Sequence, residues 1–218
     1  MPIDILQDKI RKLKNPSVLD LAICKENLPA HLLEQEDNAA RAYYRFCTEL
    51  LDRMKGLVPA VRFSFTAFAL LGPDGMTALS AVLKEASVMG YYTVLDAPYV
   101  LSPMMAEATA KAVFSVDAQY PCDSLIMTAY PGSDVIKPFL PYCKDDKKDL
   151  FLVVRTSNKT APEIQDLLTG SRLVHAAAAD FINRFSAESV GKSGYARVSV
   201  LAGASSAESL KTLRGKYP

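Results

Sequence analysis

Short apolar runs alternate six times with longer stretches of helical periodicity, and no linker or composition break interrupts the series. The apolar runs predict strands at Val18–Ile23, Val61–Phe65, Tyr91–Ala97, Ser124–Ala129, Leu150–Ser157 and Arg197–Ala202. The stretches that follow them predict helices at about Asp37–Lys55, Pro73–Met89, Pro103–Phe114, Ser133–Tyr142, Ser171–Arg184 and Ser205–Arg214. This alternation predicts one α/β domain, residues 1–218, built on a parallel sheet. An open doubly wound sheet and a barrel both fit the pattern.

The sequence lacks the common phosphate-binding motifs. No G-x-G-x-x-G follows the first predicted strand, and no G-x-x-x-x-G-K-[ST] occurs anywhere. Neither a dinucleotide site nor a P-loop is therefore indicated. Gly191 and Gly194 lie before the last predicted strand, and their spacing favours a turn.

Composition excludes several further classes. Lys and Arg number 25 against 24 Asp and Glu, so a net charge of +1 provides no general field for nucleic acid or anionic lipid. Four cysteines without C-x-x-C spacing and only two histidines, His31 and His175, predict reduced thiols and no metal site. The charged N-terminus and the lack of an apolar run near 20 residues predict a cytoplasmic protein without a membrane partner.

A set of segments, taken in order from about residue 3 to 218, carries a family resemblance. The segments are Phe46–Phe63, Phe68–Leu79, Val94–Ala97, Ala129–Leu140, Leu150–Lys159 with Gln165–Leu167, and the C-terminal AGASSAESLKTLRGKYP. Together they resemble the orotidine 5′-phosphate decarboxylase family in its longer, bacterial type. The resemblance implies a TIM-type (β/α) barrel whose site lies at the C-terminal ends of the strands. It implies no cofactor.

The family's decarboxylation motif, Asp-x-Lys-x-x-Asp, falls on DAPYVL, residues 96–101. In the family the lysine protonates the carbon that loses CO₂, and its ammonium offsets the charge that develops there. Asp96 matches the first aspartate, but Pro98 stands at the lysine position and Leu101 at the second aspartate position. Proline can donate no proton and leucine has no charge, so we assign no catalytic residue.

Three other positions of the resemblance also differ. Met105 stands where the family has a threonine, Ala22 at the strand-one aspartate position, and Arg62 at the strand-two lysine position. Arginine keeps the charge of lysine without its compact ammonium. We expect Arg62 to form a salt bridge with Asp96 rather than to contact a ligand.

The resemblance implies that a pyrimidine nucleotide substrate binds at the end of strand five and in the segment after it. The residues are Thr156, Ser157, Asn158 and Gln165. The alternative is structural: Asn158 would shape the loop, Ser157 would cap it, and Gln165 would be a surface amide.

Family members continue beyond the equivalent of Pro218 with a strand that carries a Gly-rich phosphate-binding loop and then an eighth strand. The resemblance therefore implies a barrel truncated after about six strand–helix units, with two sheet edges that another chain must cover. We expect a homodimer or a hetero-oligomer with another protein chain. Leu101, Met104 and Met105 lie on the loop that reaches the neighbour in the family, although ordinary loop packing would also explain them.

Two functional hypotheses follow. The first is a catalytically degenerate family member that acts as a binding or assembly subunit. The alternative is an orotidine 5′-phosphate decarboxylase of de novo pyrimidine (UMP) biosynthesis that is active only with a partner chain. The residues that differ favour the first hypothesis, since the lysine must come from the barrel that holds the substrate.

Overall fold

The computed structural model describes residues 2–22, 24–144 and 148–217. Its strands are β1 Val18–Leu21, β2 Ala60–Ser64, β3 Tyr92–Asp96, β4 Ser124–Thr128, β5 Asp149–Arg155, β6 Leu168–Thr169, β7 Arg172–Leu173 and β8 Val198–Ala202. Its α-helices are α1 Pro2–Leu13, α2 Ala30–Gln35, α3 Ala39–Met54, α4 Phe65–Ala69, α5 Gly72–Val88, α6 Pro103–Phe114, α7 Leu140–Lys144, α8 Pro162–Gln165, α9 Val174–Ala187 and α10 Ala207–Lys216. Two 3₁₀ turns lie at Lys25–Asn27 and Lys137–Phe139.

Six strands form one sheet in the order β1-β2-β3-β4-β5-β8, and β6 pairs with β7 in a separate hairpin. The pairs β1–β2, β2–β3 and β5–β8 are parallel. The predicted parallel α/β class and all six predicted strands are therefore confirmed, with ends that differ by one or two residues. Ile23, in the first predicted strand, and Pro218 lie outside the described residues.

Two predicted helices have bounds that differ from those in the structure by three residues or more. Instead of a helix at Ser133–Tyr142, a 3₁₀ turn leads into α7, because Pro138 and Pro141 cannot supply the backbone donors of a continuous helix. The helix predicted from Ser171 begins at Val174, because Arg172–Leu173 pairs with Leu168–Thr169. Gly170 makes this hairpin turn with a φ of 64°, which glycine adopts readily.

The described residues divide into two compact units. The first consists of Met1–Asp4, Pro98–Ala110 and Ile126–Pro218, and the second of Ile5–Ala97 and Lys111–Leu125. The expectation of a single domain stays a prediction. No helix in the described ranges is long and apolar enough to cross a membrane.

Aromatic side chains form the core of the second unit. Tyr43 of α3 stacks on Phe68 of α4 with ring centroids 4.5 Å apart, and Phe63 of β2 lies 6.4 Å from Phe68. All three are buried. The hydroxyl of Tyr43 donates a hydrogen bond to the backbone oxygen of Leu21 at 2.5 Å, so α3 is fixed to the end of β1. The side chain of Asn38 caps α3 by accepting from the backbone N–H of Arg41 at 2.9 Å.

In the first unit, the start of α1 is attached to a turn near the other end of the chain. The carboxylate of Asp4 accepts a hydrogen bond from the backbone N–H of Ser193 at 2.8 Å. The turn itself is the one favoured by the glycine spacing, with Gly194 donating to the backbone oxygen of Gly191 at 3.1 Å. A Cβ on Gly191 would lie 2.7 Å from Asp4 Oδ1, so a larger residue at this position would require the Asp4 carboxylate to shift.

Gly75 of α5 packs directly against the backbone of α4, which places the two helices that follow β2. A Cβ at this position would lie 2.1 Å from the backbone oxygen of Phe68. We expect Gly75→Ala to lower the free energy of unfolding by about 2 kcal/mol, because the carbonyl must move. Gly215→Ala is the control, since nothing lies within 4 Å of its Cβ, and it should be neutral or slightly stabilising. Equal stability of both variants in urea titrations would contradict the packing described.

Asp180 of α9 holds the end of α10 in the first unit. Its carboxylate accepts from Lys216 Nζ at 2.6 Å, from Arg172 Nη1 at 2.7 Å, and from the hydroxyl of Tyr217. Hydrogen bonds from Lys216 and then Tyr217 lower the pKa of Asp180 to about 2, against the opposing effect of burial.

This lowered pKa predicts an acid-sensitive contribution to stability. Because the folded-state pKa lies below the unfolded value of about 4, the contribution is complete above pH 4 and is lost as the pH falls through about 2. We expect the wild-type melting temperature to fall more steeply between these values than that of Asp180→Asn. Identical slopes, measured by circular dichroism, would show that these contacts do not form in solution.

Candidate functional site

A charged cluster lies near the carboxyl ends of the first three strands, within the second unit. Arg62 of β2 donates through Nη1 to Asp20 Oδ2 of β1 at 2.6 Å and through Nη2 to Asp96 Oδ2 of β3. The parallel register places Asp20 directly opposite Arg62. We call these three residues the strand-end cluster.

The strand-end cluster is partly removed from solvent. The side chains of Arg62, Asp20 and Asp96 are 29%, 54% and 14% exposed. Burial alone would lower the pKa of Arg62, but the charges and hydrogen bonds of Asp96 and then Asp20 raise it above its ordinary value. A guanidinium held in this way stays charged and cannot act as a proton donor near neutral pH.

The expected ion pair between Arg62 and Asp96 is present, but sequence reasoning missed its third member. The sequence comparison placed Ala22 at the strand-one aspartate position, and Ala22 lies exposed immediately after β1. The β1 carboxylate that contacts Arg62 is Asp20, two residues earlier. A lone aspartate within the apolar run VLDLAI was the available signal, since a charged residue inside a strand needs a partner.

The segment after β3 belongs to the first unit. Pro98 is exposed, and so are Leu101, Met104 and Met105, at 60%, 78% and 40%. The hydroxyl of Ser102 accepts from the backbone N–H of Met105 at 3.3 Å at the start of α6. The segment thus presents apolar side chains, and neither Pro98 nor Leu101 brings a charge or an acidic proton.

The residues assigned to substrate binding form a hydrogen-bonded loop after β5, also in the first unit. The Oε1 atom of Gln165 accepts from the backbone N–H of Thr156 at 2.8 Å, and its Nε2 donates to the Thr156 hydroxyl at 2.9 Å. That hydroxyl donates to Asn158 Oδ1, and Asn158 Nδ2 donates to Thr160 Oγ1 at 3.0 Å. The structure therefore brings Thr156, Asn158 and Gln165 together.

These contacts correct part of the structural alternative. Asn158 does shape the loop, but Gln165 is not a simple surface amide, because both ends of its carboxamide contact Thr156. The prediction that Ser157 caps this loop stays a prediction, and α8, the helix that follows, has Ala161 at its N-cap position and no side-chain cap. The Ser157 side chain is exposed, which leaves its hydroxyl available for a ligand.

An ion pair with a buried guanidinium lies next to this loop. Arg155, the last residue of β5, has a side chain that is 7% exposed and donates through Nε and Nη2 to the carboxylate of Asp166 at 3.2 and 3.0 Å. His175 of α9 lies with Nδ1 3.1 Å from Asp166 Oδ1 and 3.0 Å from the backbone oxygen of Gln165. The hydrogen bonds from Arg155 lower the pKa of Asp166, burial opposes them, and the charges of Arg155 and His175 lower it further.

Gly203, just after β8, is a further residue of this loop that the sequence did not single out. Its N–H donates to the backbone oxygen of Arg155 at 2.7 Å. A Cβ at this position would lie 2.8 Å from both the backbone nitrogen and the Cβ of Ser157. Only glycine allows this approach, which fixes the backbone beside Ser157.

Two further features of the described chain concern possible ligands. Among residues 2–22, 24–144 and 148–217, no three histidine, cysteine or carboxylate side chains are grouped so that they could hold a metal ion. A cavity of about 510 Å³ lies between α3 and α5, lined by Asp37, Asn38, Ala40, Arg41, Tyr44, Asp74, Thr77, Ala78 and Ala81. None of its lining residues belongs to the strand-end cluster or to the loop after β5.

The chain is similar to known decarboxylases in sequence and in structure, although no family model matches it. Curated orotidine 5′-phosphate decarboxylases from Rhodopirellula baltica and Clostridium novyi are 29% and 26% identical to it. The first match covers 88% of this chain and 67% of the relative, the second 99% and 74%.

Two solved structures have the same fold. The OMP decarboxylase of Leishmania donovani superposes with a TM-score of 0.77 at 23% identity, covering 100% of this chain and 76% of that one. The orotidine 5′-monophosphate decarboxylase of Plasmodium berghei superposes with a TM-score of 0.81 at 14% identity, covering 99% and 80%. The predicted TIM-barrel class is thereby confirmed.

Proposed function

Because this chain is a homologue of the orotidine 5′-phosphate decarboxylases, we propose that it is a catalytically silent relative, acting in the cytoplasm as a subunit that binds a pyrimidine nucleotide and another protein chain. The observation that carries the proposal is the capture of Arg62 by Asp20 and Asp96. The cation at this end of the strands is already neutralised by two carboxylates.

Decarboxylation of orotidine 5′-monophosphate requires a proton at the carbon that loses CO₂. A general acid must lose and regain its proton near the working pH, and arginine does not. Pro98 and Leu101 have no ionisable group to take its place. These residues support the loss of catalysis more strongly than the alternative, an enzyme that is active only with a partner chain.

Nucleotide binding is the function that the loop after β5 supports. Its hydroxyl and amide groups are held in place by the Arg155–Asp166 ion pair, and such fixed polar groups give a pocket its specificity. Ser157 and the second proton of Gln165 Nε2 remain to contact a pyrimidine ring.

The exposed side chains of Leu101, Met104 and Met105 support the proposal that another protein chain binds here. Methionines provide adaptable apolar contact surface, and clustered exposed apolar residues often mark interfaces. We propose a homodimer first, and a hetero-oligomer if the purified protein is a monomer.

The deciding experiment follows the absorbance of orotidine 5′-monophosphate with the purified protein and with a Pro98→Lys/Leu101→Asp variant. We expect no turnover by the natural protein. Turnover that persists in a preparation from a host lacking its own decarboxylase would contradict the proposal. Turnover only after addition of extract from the source organism, with its own decarboxylase removed, would favour the partner-dependent enzyme.

Nucleotide binding is tested by calorimetry with uridine 5′-monophosphate. We expect Gly203→Ala to weaken binding by at least about tenfold, because its Cβ displaces the backbone of Ser157. Gly215→Ala, which adds the same methyl group in open space, should bind as the natural protein does. Equal affinities of the two variants would remove the loop after β5 from the site.

A further inference from the structure

A small cavity lies within the second unit, where three of its helices end. Its volume is about 160 Å³. Leu13 at the end of α1, Lys55 just after α3 and Met89 just after α5 all line it. The residues that immediately precede β2 and β3 complete the wall, so the cavity lies at the opposite end of these strands from the strand-end cluster.

Hydrogen bonds between segments that are distant in sequence hold the walls of this cavity together. Lys9 of α1 donates through Nζ to the backbone oxygen of Gly90, just before β3. Asn15, just after α1, donates through Nδ2 to the backbone oxygen of Leu57, before β2, at 2.7 Å. The chain's own contacts therefore attach α1 to the segments that precede both strands.

The cavity is positively charged. Lys9, Lys12 and Lys55 line it, and its described lining residues include no carboxylate. In the part of the chain that the structure describes, none of these three ammonium groups lies in an ion pair, whereas Arg11 of the same helix pairs with Asp8 at 3.3 Å. Of the three lysines, only Lys9 donates a hydrogen bond within these residues.

Two features reduce this positive charge without cancelling it. The carboxyl end of a helix carries about half a negative charge, so the ends of α1, α3 and α5 offset about half the charge of three lysines. Asp52, in the last turn of α3, acts on Tyr91, whose pKa is raised by burial and then by this carboxylate. The side chain of Asp52, however, lines a different cavity, which Arg53 also lines.

We propose that the cavity binds a small oxyanion of the phosphate class. Lysine ammonium groups bind phosphate as compact point charges, and Lys12 and Lys55 have donors to offer. The volume suits a group of this size and excludes a whole nucleotide, since pockets for drug-sized ligands begin at about 300 Å³. The site is therefore separate from the proposed nucleotide site and does not rest on the proposed function.

The test is calorimetric titration with inorganic phosphate in a chloride buffer. We expect saturable binding by the natural protein, and binding at least about tenfold weaker by Lys12→Gln/Lys55→Gln, which removes two of the three charges. The control is Lys84→Gln/Lys111→Gln, which removes the same charge from exposed positions on α5 and α6 outside the cavity and should leave the affinity unchanged. Equal affinities of the two double variants, or no binding by the natural protein, would overturn the proposal.

A second measurement uses only the natural protein, so it does not depend on the folding of a variant. Lysine acetylation by acetic anhydride, followed by mass spectrometry, should slow at Lys12 and Lys55 when inorganic phosphate is added, and should not slow at Lys84 and Lys111. Saturating uridine 5′-monophosphate should leave this protection in place. Uniform protection, protection confined to other lysines, or its loss with the nucleotide would each show that phosphate does not occupy this cavity.

Discussion

Replacing Arg62 with methionine is expected to lower the free energy of unfolding by about 3 kcal/mol, because the change leaves Asp96 unpaired with only 14% of its side chain exposed. The loss falls at the lower end of the range for breaking a buried ion pair, since Arg62 and Asp20 remain partly in solvent. Methionine preserves most of the length of the side chain, so the effect isolates the charge. Chemical denaturation at neutral pH measures it.

The origin of this effect can be checked with a second substitution. Arg62→Met/Asp96→Asn removes the unpaired charge and should recover most of the stability. The control is Arg11→Met, which breaks an exposed pair with Asp8 and should cost less than about 0.5 kcal/mol. If Arg62→Met costs no more than Arg11→Met, the strand-end cluster does not exist in solution.

Asp166→Asn should be destabilising to a similar extent, by about 3 kcal/mol, because it leaves the buried guanidinium of Arg155 without its carboxylate. The amide keeps the size of the side chain but turns donors toward the donors of Arg155. The loop after β5 should loosen as well, since Asp166 is the next residue after Gln165. Hydrogen exchange of the amide of Thr156, which donates to Gln165, should accelerate.

The matched control is Asp37→Asn, the same change in an exposed ion pair with Arg41 at the start of α3. It should cost no more than about 0.5 kcal/mol. Equal losses for Asp37→Asn and Asp166→Asn would mean that Arg155 finds other partners when Asp166 is changed, with Ser205, 3.3 Å from its Nη1, the first of them.

Much of the fold could be predicted, since strand and helix periodicities differ and buried parallel strands are almost continuously apolar. The helix predicted to begin near Ser205 is present as α10, and Ser206 is its N-cap. The elements that were missed are α1, with twelve residues, and several short or exposed pieces: α2 and α4 have six and five residues, and the β6–β7 hairpin presents Leu168 to solvent. The short pieces form because neighbouring elements fix their ends, which local periodicity does not report.

The candidate site was less predictable for a related reason. The pairing of Arg62 with Asp20 depends on the register between β1 and β2, and the backbone beside Ser157 is fixed by the close approach of Gly203. Both are contacts between residues distant in sequence. Sequence reasoning predicted the pair of Arg62 with Asp96 and named Thr156, Asn158 and Gln165 individually. It did not predict Asp20 as the second partner of Arg62, nor the contacts among the three loop residues.

The hydrogen bond between Asp4 and Ser193 has a consequence for synthesis of the chain. Its donor and acceptor are 189 residues apart, so the first turn of α1 cannot be fixed by this contact until Ser193 has left the ribosome. The second unit has no such requirement, because its last residue is Leu125. Folding during synthesis therefore favours formation of the second unit first. The first turn of α1 can form its contact with Ser193 only later, when that residue has been synthesised.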